Sequence, residues 1–318
     1  MKGYIDSIYE IIGNTPMLKL NRITEHYGVK GNIFAKLEYL NPGFSKKDRP
    51  ALEMIEAAKS SGSLKPGQTV LEVTSGNTGT GLAIVCQAKG HHFIACMSQG
   101  NSMERARMMR ALGAEVIIVP QGKDSVIGQV SGDDLKLVEE KADEILKERN
   151  AFRANQFIQD SAYEAHFKTA DEMWNQLDGE IDVFMDILGS GGTFRGCAKR
   201  LKEHNGDIQC YAVEPKNAAV YAGHAIVNNG RHQIQGCGYA RDLPIVDKDY
   251  MDGYIQVGDE EAIQMTRDLA RLEGAFVGYS SGANVSAAVK LLKELDRDIN
   301  IVLTLNDSGL KYLSTDLF

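Results

Sequence analysis

The chain lacks most of the features that quickly assign a protein to a class. Its 35 Lys and Arg are outnumbered by 43 Asp and Glu, a formal charge of −8. There is no basic excess to meet a phosphate backbone, which excludes nucleic acid as the main partner. Small anions stay open, because a local cluster of N–H groups and lysine outweighs a diffuse negative charge. The five cysteines (Cys86, Cys96, Cys197, Cys210, Cys237) are odd in number and have no Cys-x-x-Cys spacing, which argues against a disulfide framework and a metal site. Cys86, Cys96 and Cys210 lie in apolar surroundings and read as small core residues. No run of about 18 apolar residues is present to span a membrane. The opening Met1-Lys2-Gly3-Tyr4-Ile5-Asp6 has no apolar signal-peptide core, so the expected location is cytoplasmic, away from any membrane. No internal repeat or low-complexity linker breaks the chain.

What is there is an ordinary soluble composition, 43% hydrophobic and 25% charged over 318 residues, enough for about two domains. Strand-like and helix-like runs alternate, which favours parallel sheets covered by helices. Thr69–Val73, Phe93–Cys96 and Glu115–Val119 read as strands; Leu82–Ala88, Ser102–Leu112 and 133–150 read as helices. The last has Leu135, Leu137, Val138, Ala142 and Ile145 apolar. A second series begins near Ala151, with strands at Asp182–Leu188, Gln209–Pro215 and Ile299–Leu305, and helices at Arg195–Glu203, Glu260–Glu273 and Ala283–Leu295. Two sheets meeting at a cleft are expected, and clefts between domains are where small molecules bind.

Four segments carry chemistry. Thr74-Ser75-Gly76-Asn77-Thr78-Gly79-Thr80-Gly81 joins a strand to a helix; such a turn offers free backbone N–H groups and short hydroxyls to a carboxylate or phosphate. In Asn41-Pro42-Gly43-Phe44-Ser45-Lys46-Lys47-Asp48-Arg49-Pro50, a turn precedes a helix. A lysine there is either a solvated surface charge or an amine kept neutral by the helix dipole, able to form a Schiff base. Gly189-Ser190-Gly191-Gly192-Thr193 again joins strand to helix and forms a phosphate cup of backbone N–H groups. It has no lysine directly before the hydroxyl residue, and it departs from Gly-x-Gly-x-x-Gly, so dinucleotide binding is disfavoured. Gly278-Tyr279-Ser280-Ser281-Gly282-Ala283 precedes another helix and reads in isolation as an N-cap.

Together, a reactive lysine, a phosphate cup and a carboxylate-binding turn describe a pyridoxal phosphate enzyme acting on an amino acid. With Gly13-Asn14-Thr15-Pro16, these segments resemble, in order and over nearly the whole chain, the cysteine synthase and cystathionine β-synthase family of fold type II. The resemblance implies an α/β fold, tryptophan synthase β-like, of two domains. Each would be a mostly parallel twisted sheet flanked by helices, with pyridoxal 5′-phosphate in the cleft between them. A smaller, mobile domain at 46–150 would carry the substrate-carboxylate loop, and 1–45 plus 151–318 would anchor the cofactor. By the same resemblance Lys47, rather than Lys46, forms the internal aldimine and is the catalytic base. Asn77 bonds the ring O3′; Gly189, Ser190, Gly191, Gly192 and Thr193 hold the phosphate; Ser280 meets the pyridine nitrogen. Thr74, Ser75, Thr78 and Gln156 bind the substrate carboxylate, with Gly236 and Tyr239 on the active-site loop. A neutral hydroxyl at Ser280 leaves the ring a weaker electron sink, which favours expulsion of a β-substituent.

The implied reaction is β-replacement on a β-substituted L-alanine through an α-aminoacrylate, with O-acetyl-L-serine and sulfide giving L-cysteine and acetate. The alternative is a hydrogen sulfide-producing reaction of L-cysteine, of the desulfhydrase, lanthionine or cystathionine β-synthase type. A serine/threonine dehydratase shares the fold type, and a non-catalytic binding module would also retain it. The stretch from Ile158 to His166 and the loop from Gln235 to Pro244 depart from the usual cysteine synthase pattern, Tyr239 being nearer the cystathionine β-synthase version. His166 reads as a packed or surface histidine. Arg241 and Asp242 are either a surface ion pair or groups that read a second substrate or activate water. The segment 121–134 is longer than usual. The haem-containing, effector-regulated form is not expected. A homodimer is implied, and a serine acetyltransferase tail is a possible partner.

Overall fold

β-Branched and aromatic runs bounded by Gly and polar residues form the strands, and the longer mixed segments form the helices. The computed structural model describes residues 3–74, 76–123, 125, 130 and 132–318. In chain order the strands are β1 (Met17–Lys19), β2 (Asn32–Lys36), β3 (Val70–Val73), β4 (Phe93–Ser98), β5 (Glu115–Val119), β6 (Phe152–Arg153), β7 (Val183–Ile187), β8 (Gln209–Pro215), β9 (Gly253–Val257) and β10 (Asn300–Thr304). The helices are α1 (Asn21–Tyr27), α2 (Asp48–Ser60), α3 (Asn77–Lys89), α4 (Met103–Ala111), α5 (Gly132–Arg149), α6 (Ser161–Gln176), α7 (Gly192–His204), α8 (Asp259–Asp268) and α9 (Tyr279–Leu295). The α/β class read from the sequence is the one observed, with two mostly parallel sheets flanked by helices. By contacts the chain forms two compact units: Met1–Ile12 with Asn41–Ala162, and Gly13–Leu40 with Tyr163–Phe318.

The first unit is built on the parallel sheet β5-β4-β3-β6. Both central strands, β3 and β4, are buried along their whole length, as strands covered on both faces should be. Val138, Ala142 and Ile145 of α5 pack against Leu71, Val73, Ile94 and Cys96. Leu137, expected on the same face, is 38% exposed, because one residue of helix turns a side chain about 100° away from its neighbour. At the start of α5, Asp134 accepts hydrogen bonds from Gly122 N at 2.8 Å and Ser125 Oγ at 2.6 Å, gathering the described part of the long 121–134 segment. Residues 124, 126–129 and 131 of that segment lie outside the described residues.

The second unit carries the sheet β1-β2-β10-β7-β8-β9, parallel except where β1 meets β2. Helix α9 is buried nearly all round; its Ala283, Val285, Ala288 and Leu292 join Ile33, Met185, Ile301 and Leu303 in one core. All five cysteines are buried and none is in a disulfide. Burial pushes the thiols of Cys86, Cys96 and Cys210 up to about 12, so they stay protonated core residues. Among the described residues no helix is long and apolar enough to cross a membrane.

Candidate active site

In each sheet one candidate turn leaves the carboxyl end of a parallel strand, where open α/β sheets bind ligands. In the first unit, β3 runs into Thr74 and α3 begins at Asn77. The Thr74 hydroxyl, 4% exposed, accepts from Gly76 N and Gly79 N, both at 3.0 Å. Its lone pairs therefore hold the turn, and its O–H is what it has left to offer a ligand. Gly76 sits at φ 131°, and a Cβ there would lie 2.2 Å from Cδ of the buried Arg105, so only glycine fits. Ser75, expected to bind the substrate, lies outside the described residues.

Lys47 is the N-cap of α2, as its place in the sequence predicts, and its Nζ is 3.4 Å from Gln156 Oε1. Lys46, the neighbour set aside, is 7% exposed. The same Gln156 oxygen accepts from Thr78 Oγ1 at 2.7 Å. Thus Lys47, Thr78 and Gln156, which are 109 residues apart at the extreme, converge on one amide oxygen. The amide nitrogen of Gln156 has no partner among the described residues, leaving two donors for an anion. Asn77 stands at the first position of α3.

In the second unit, β7 ends before the Gly189–Thr193 turn and α7 starts at Gly192. Gly191 is the N-cap at φ 93°, and a Cβ on it would lie 2.3 Å from Val246 Cγ2. A Cβ on Gly189 would lie 2.8 Å from the carbonyl oxygen of Gly236. Ser190 and Thr193 are 5% and 4% exposed. The turn offers hydroxyls and first-turn N–H groups and contains no carboxylate, a donor set that fits a phosphate monoester. Ser280 is in the first turn of α9 at 8% exposure. Its neighbour Ser281 is structural: the Oγ accepts from Asn306 N at 2.8 Å.

His166 is packed, at 1% exposure, as the plain expectation had it, but it packs against the cup. Its Nε2 is 3.2 Å from Thr193 Oγ1 and its Nδ1 3.1 Å from Thr169 Oγ1. The loop bearing Gly236 and Tyr239 is tied down by Gly238, whose N–H donates to Leu188 O at 3.0 Å. Asp242 is exposed and pairs with Lys248 at 3.3 Å, which places it in a surface ion pair.

Two supporting residues escape motif reading. His232 Nε2 is 3.0 Å from Gly238 O. A carbonyl only accepts, so this nitrogen carries the proton. Burial lowers the imidazole's pKa, against the Gly238 bond and Asp259, which raise it. Glu72, in β3, is 1% exposed and bonds the backbone of Asn155 and Gln156. The only sequence signal for it is a charged residue inside an otherwise apolar strand.

Three comparisons bear on this geometry. A family model described as pyridoxal-phosphate dependent enzyme matches residues 8–307. A cysteine synthase of Staphylococcus aureus is 38% identical over 316 residues, covering 99% of this chain and 97% of that one. Among solved structures, a cysteine synthase of Entamoeba histolytica aligns with a TM-score of 0.91 at 35% identity, covering 100% of this chain and 91% of that chain. A hydrogen sulfide-producing enzyme of Fusobacterium nucleatum aligns with a TM-score of 0.88 at 37% identity, covering 98% and 100%.

Proposed function

Because the chain belongs to the pyridoxal-phosphate dependent enzymes, and so works with pyridoxal 5′-phosphate, we propose that it catalyses β-replacement on a β-substituted L-alanine. The substrates are O-acetyl-L-serine and sulfide, and the products L-cysteine and acetate. The observation that carries this reading is the convergence of Lys47 Nζ and Thr78 Oγ1 on Gln156 Oε1. An amino acid whose carboxylate rests on the Thr78 main-chain N–H, in the first turn of α3, and on the Gln156 N–H₂ presents its Cα to the lysine amine, in reach of a base.

When bound, the cofactor supplies the electron sink for the charge that develops at Cα. Lys47 would hold its aldehyde carbon, Asn77 the ring O3′, Ser280 the ring nitrogen, and Gly189, Ser190, Gly191, Gly192 and Thr193 the phosphate. Thr74, Ser75, Thr78 and Gln156 would orient the substrate carboxylate. Once the substrate amine has displaced it from the aldehyde carbon, Lys47 Nζ takes the Cα proton, acetate leaves with the Cβ–O electron pair, sulfide adds at Cβ, and the proton returns to Cα. Gly236 and Tyr239 would line the approach of the second substrate.

A second reading uses the same residues on L-cysteine, releasing sulfide and accepting water or a second thiol. Its support is the likeness to the Fusobacterium nucleatum enzyme, which the chain matches as fully as it matches the cysteine synthases, together with Tyr239 on the loop. Product analysis separates the two. Cysteine formed from O-acetyl-L-serine and sulfide, faster than sulfide is released from L-cysteine, supports the first reading; the reverse ranking supports the second. Turnover of neither sinks both.

We further propose a homodimer. Its support is an exposed apolar series near the N-terminus, Tyr4, Ile5, Ile8 and Ile11, each at least 45% exposed. A serine acetyltransferase C-terminal tail, itself ending in a carboxylate, is the partner that the Gln156 N–H₂ and the first-turn N–H groups of α3 would accept. Competition between such a peptide and O-acetyl-L-serine would test it.

A further inference from the structure

Glu72 is a carboxyl in the middle of a strand whose residues are all buried, a placement that is costly unless it is used. The ladder around it shows the use. β3 and β6 pair through Val70↔Phe152 and Leu71↔Arg153, and Ala154 N still donates to Leu71 O at 3.1 Å. The next two amides leave the ladder. Asn155 N donates to Glu72 Oε2 at 2.6 Å, and Gln156 N lies 3.4 Å from Oε1. Asn155 itself is in the left-handed region at φ 48°, so the chain bends away from the sheet at this point. A side chain of β3 has replaced the backbone as the partner of the departing strand, and the residue delivered by the bend is Gln156.

We propose that Glu72 is a positioning residue for the substrate-carboxylate half-site: its carboxyl fixes the Asn155–Gln156 bend and so places the Gln156 amide against Thr78 and Lys47. The inference rests on the reading that Gln156 binds the substrate carboxylate. Glu72 touches no substrate. Both its oxygens face backbone amides, and the charged groups around it are Arg153 of β6 and Glu139 of α5, which pair with each other, with Asp143 of α5 3.7 Å from the same guanidinium. Cys96 of β4 is on the adjacent strand. Arg153 thus has acidic partners of its own, and the amides are what the Glu72 carboxyl holds.

The test is Glu72→Gln, which keeps one acceptor and turns an N–H₂ toward the other amide. Two quantities are read. Amide hydrogen exchange over 154–157 is measured with and without cofactor. The apparent Kd for O-acetyl-L-serine or L-cysteine is taken from the change in the cofactor's absorption. Loss of one good hydrogen bond corresponds to about a tenfold change. The expected result is exchange faster by about that factor and a Kd raised by about the same, with the Kd effect abolished in a Gln156→Ala background. Unchanged exchange and Kd overturn the inference. A Kd loss equally large in the Gln156→Ala background also overturns it, since Glu72 would then act elsewhere. If the unsubstituted protein responds to neither amino acid, the proposed function fails first, and the substrate part of this inference with it. Should Glu72→Gln not fold, Glu72→Asp, which shortens the reach by one methylene, is read in the same way.

Discussion

At the scale of single residues, Lys47 and Glu72 make opposite demands on their surroundings. Lys47 stands where a helix dipole opposes a cation, which suits the nucleophile and base that we propose it to be. Lys47→Ala is expected to abolish the cofactor's lysine-dependent absorption band and to lower turnover on the order of 10²–10⁴-fold. A spectrum and a product assay on the purified variant check both. Burial raises the Glu72 carboxyl from the ordinary 4.5 to about 7, against Arg153 and the two amides, which lower it. A carboxyl raised on folding contributes stability that is present below pH 4.5 and is lost as pH rises through about 7. That loss is worth about 3 kcal/mol. Urea unfolding of the cofactor-free protein at about pH 5 and about pH 8 should show it, and Glu72→Gln should flatten the difference. An equally steep pH dependence in the variant would mean that another group titrates.

At the scale of elements, the strand–turn–helix units were legible because each announces itself locally. An apolar run of strand length, a Gly-rich turn and a longer mixed segment recur at β3–α3 and β7–α7. The short elements were not legible. β1, α1, β2, β6 and β9 went unread, since two to seven residues carry little periodic signal, and α6, although long and amphipathic, also went unread. β2 also ends in Lys36, which is fully buried and satisfied by Thr15 O, Gln176 and Glu172, partners no local window contains. The Gly189–Thr193 turn gives the test at this scale. Gly191→Ala meets a positive φ and the Val246 side chain at once. It should cost more than about 1 kcal/mol in stability and weaken cofactor binding, while Gly206→Ala, with open space around it, should leave binding alone. Cofactor titration followed by absorption distinguishes them.

At the scale of the whole molecule, a bound cofactor adds to stability by mass action. At a concentration of cofactor about 100 times its Kd the gain is about 2.7 kcal/mol. The unfolding temperature should therefore rise with added pyridoxal 5′-phosphate, and rise less for Gly191→Ala at the same concentration. Sedimentation should give a single species of twice the chain mass; replacing Ile5, Ile8 and Ile11 together by Ser should shift it toward the monomer.

What the sequence determined by itself is the chemistry on offer: the α/β alternation, the lysine at a helix start, and the Gly- and hydroxyl-rich turns that lead from strand to helix. These depend on near neighbours, and near neighbours are written in order along the chain. What only the tertiary structure decided is which groups meet. Gln156 reaches Thr78 and Lys47 because β6 lies beside β3 and because Glu72 captures the two amides that leave the ladder. His166 settled behind Thr193. Contacts of that kind join residues tens of positions apart. They are selected by burial and hydrogen-bond satisfaction in the folded chain, which no local pattern encodes.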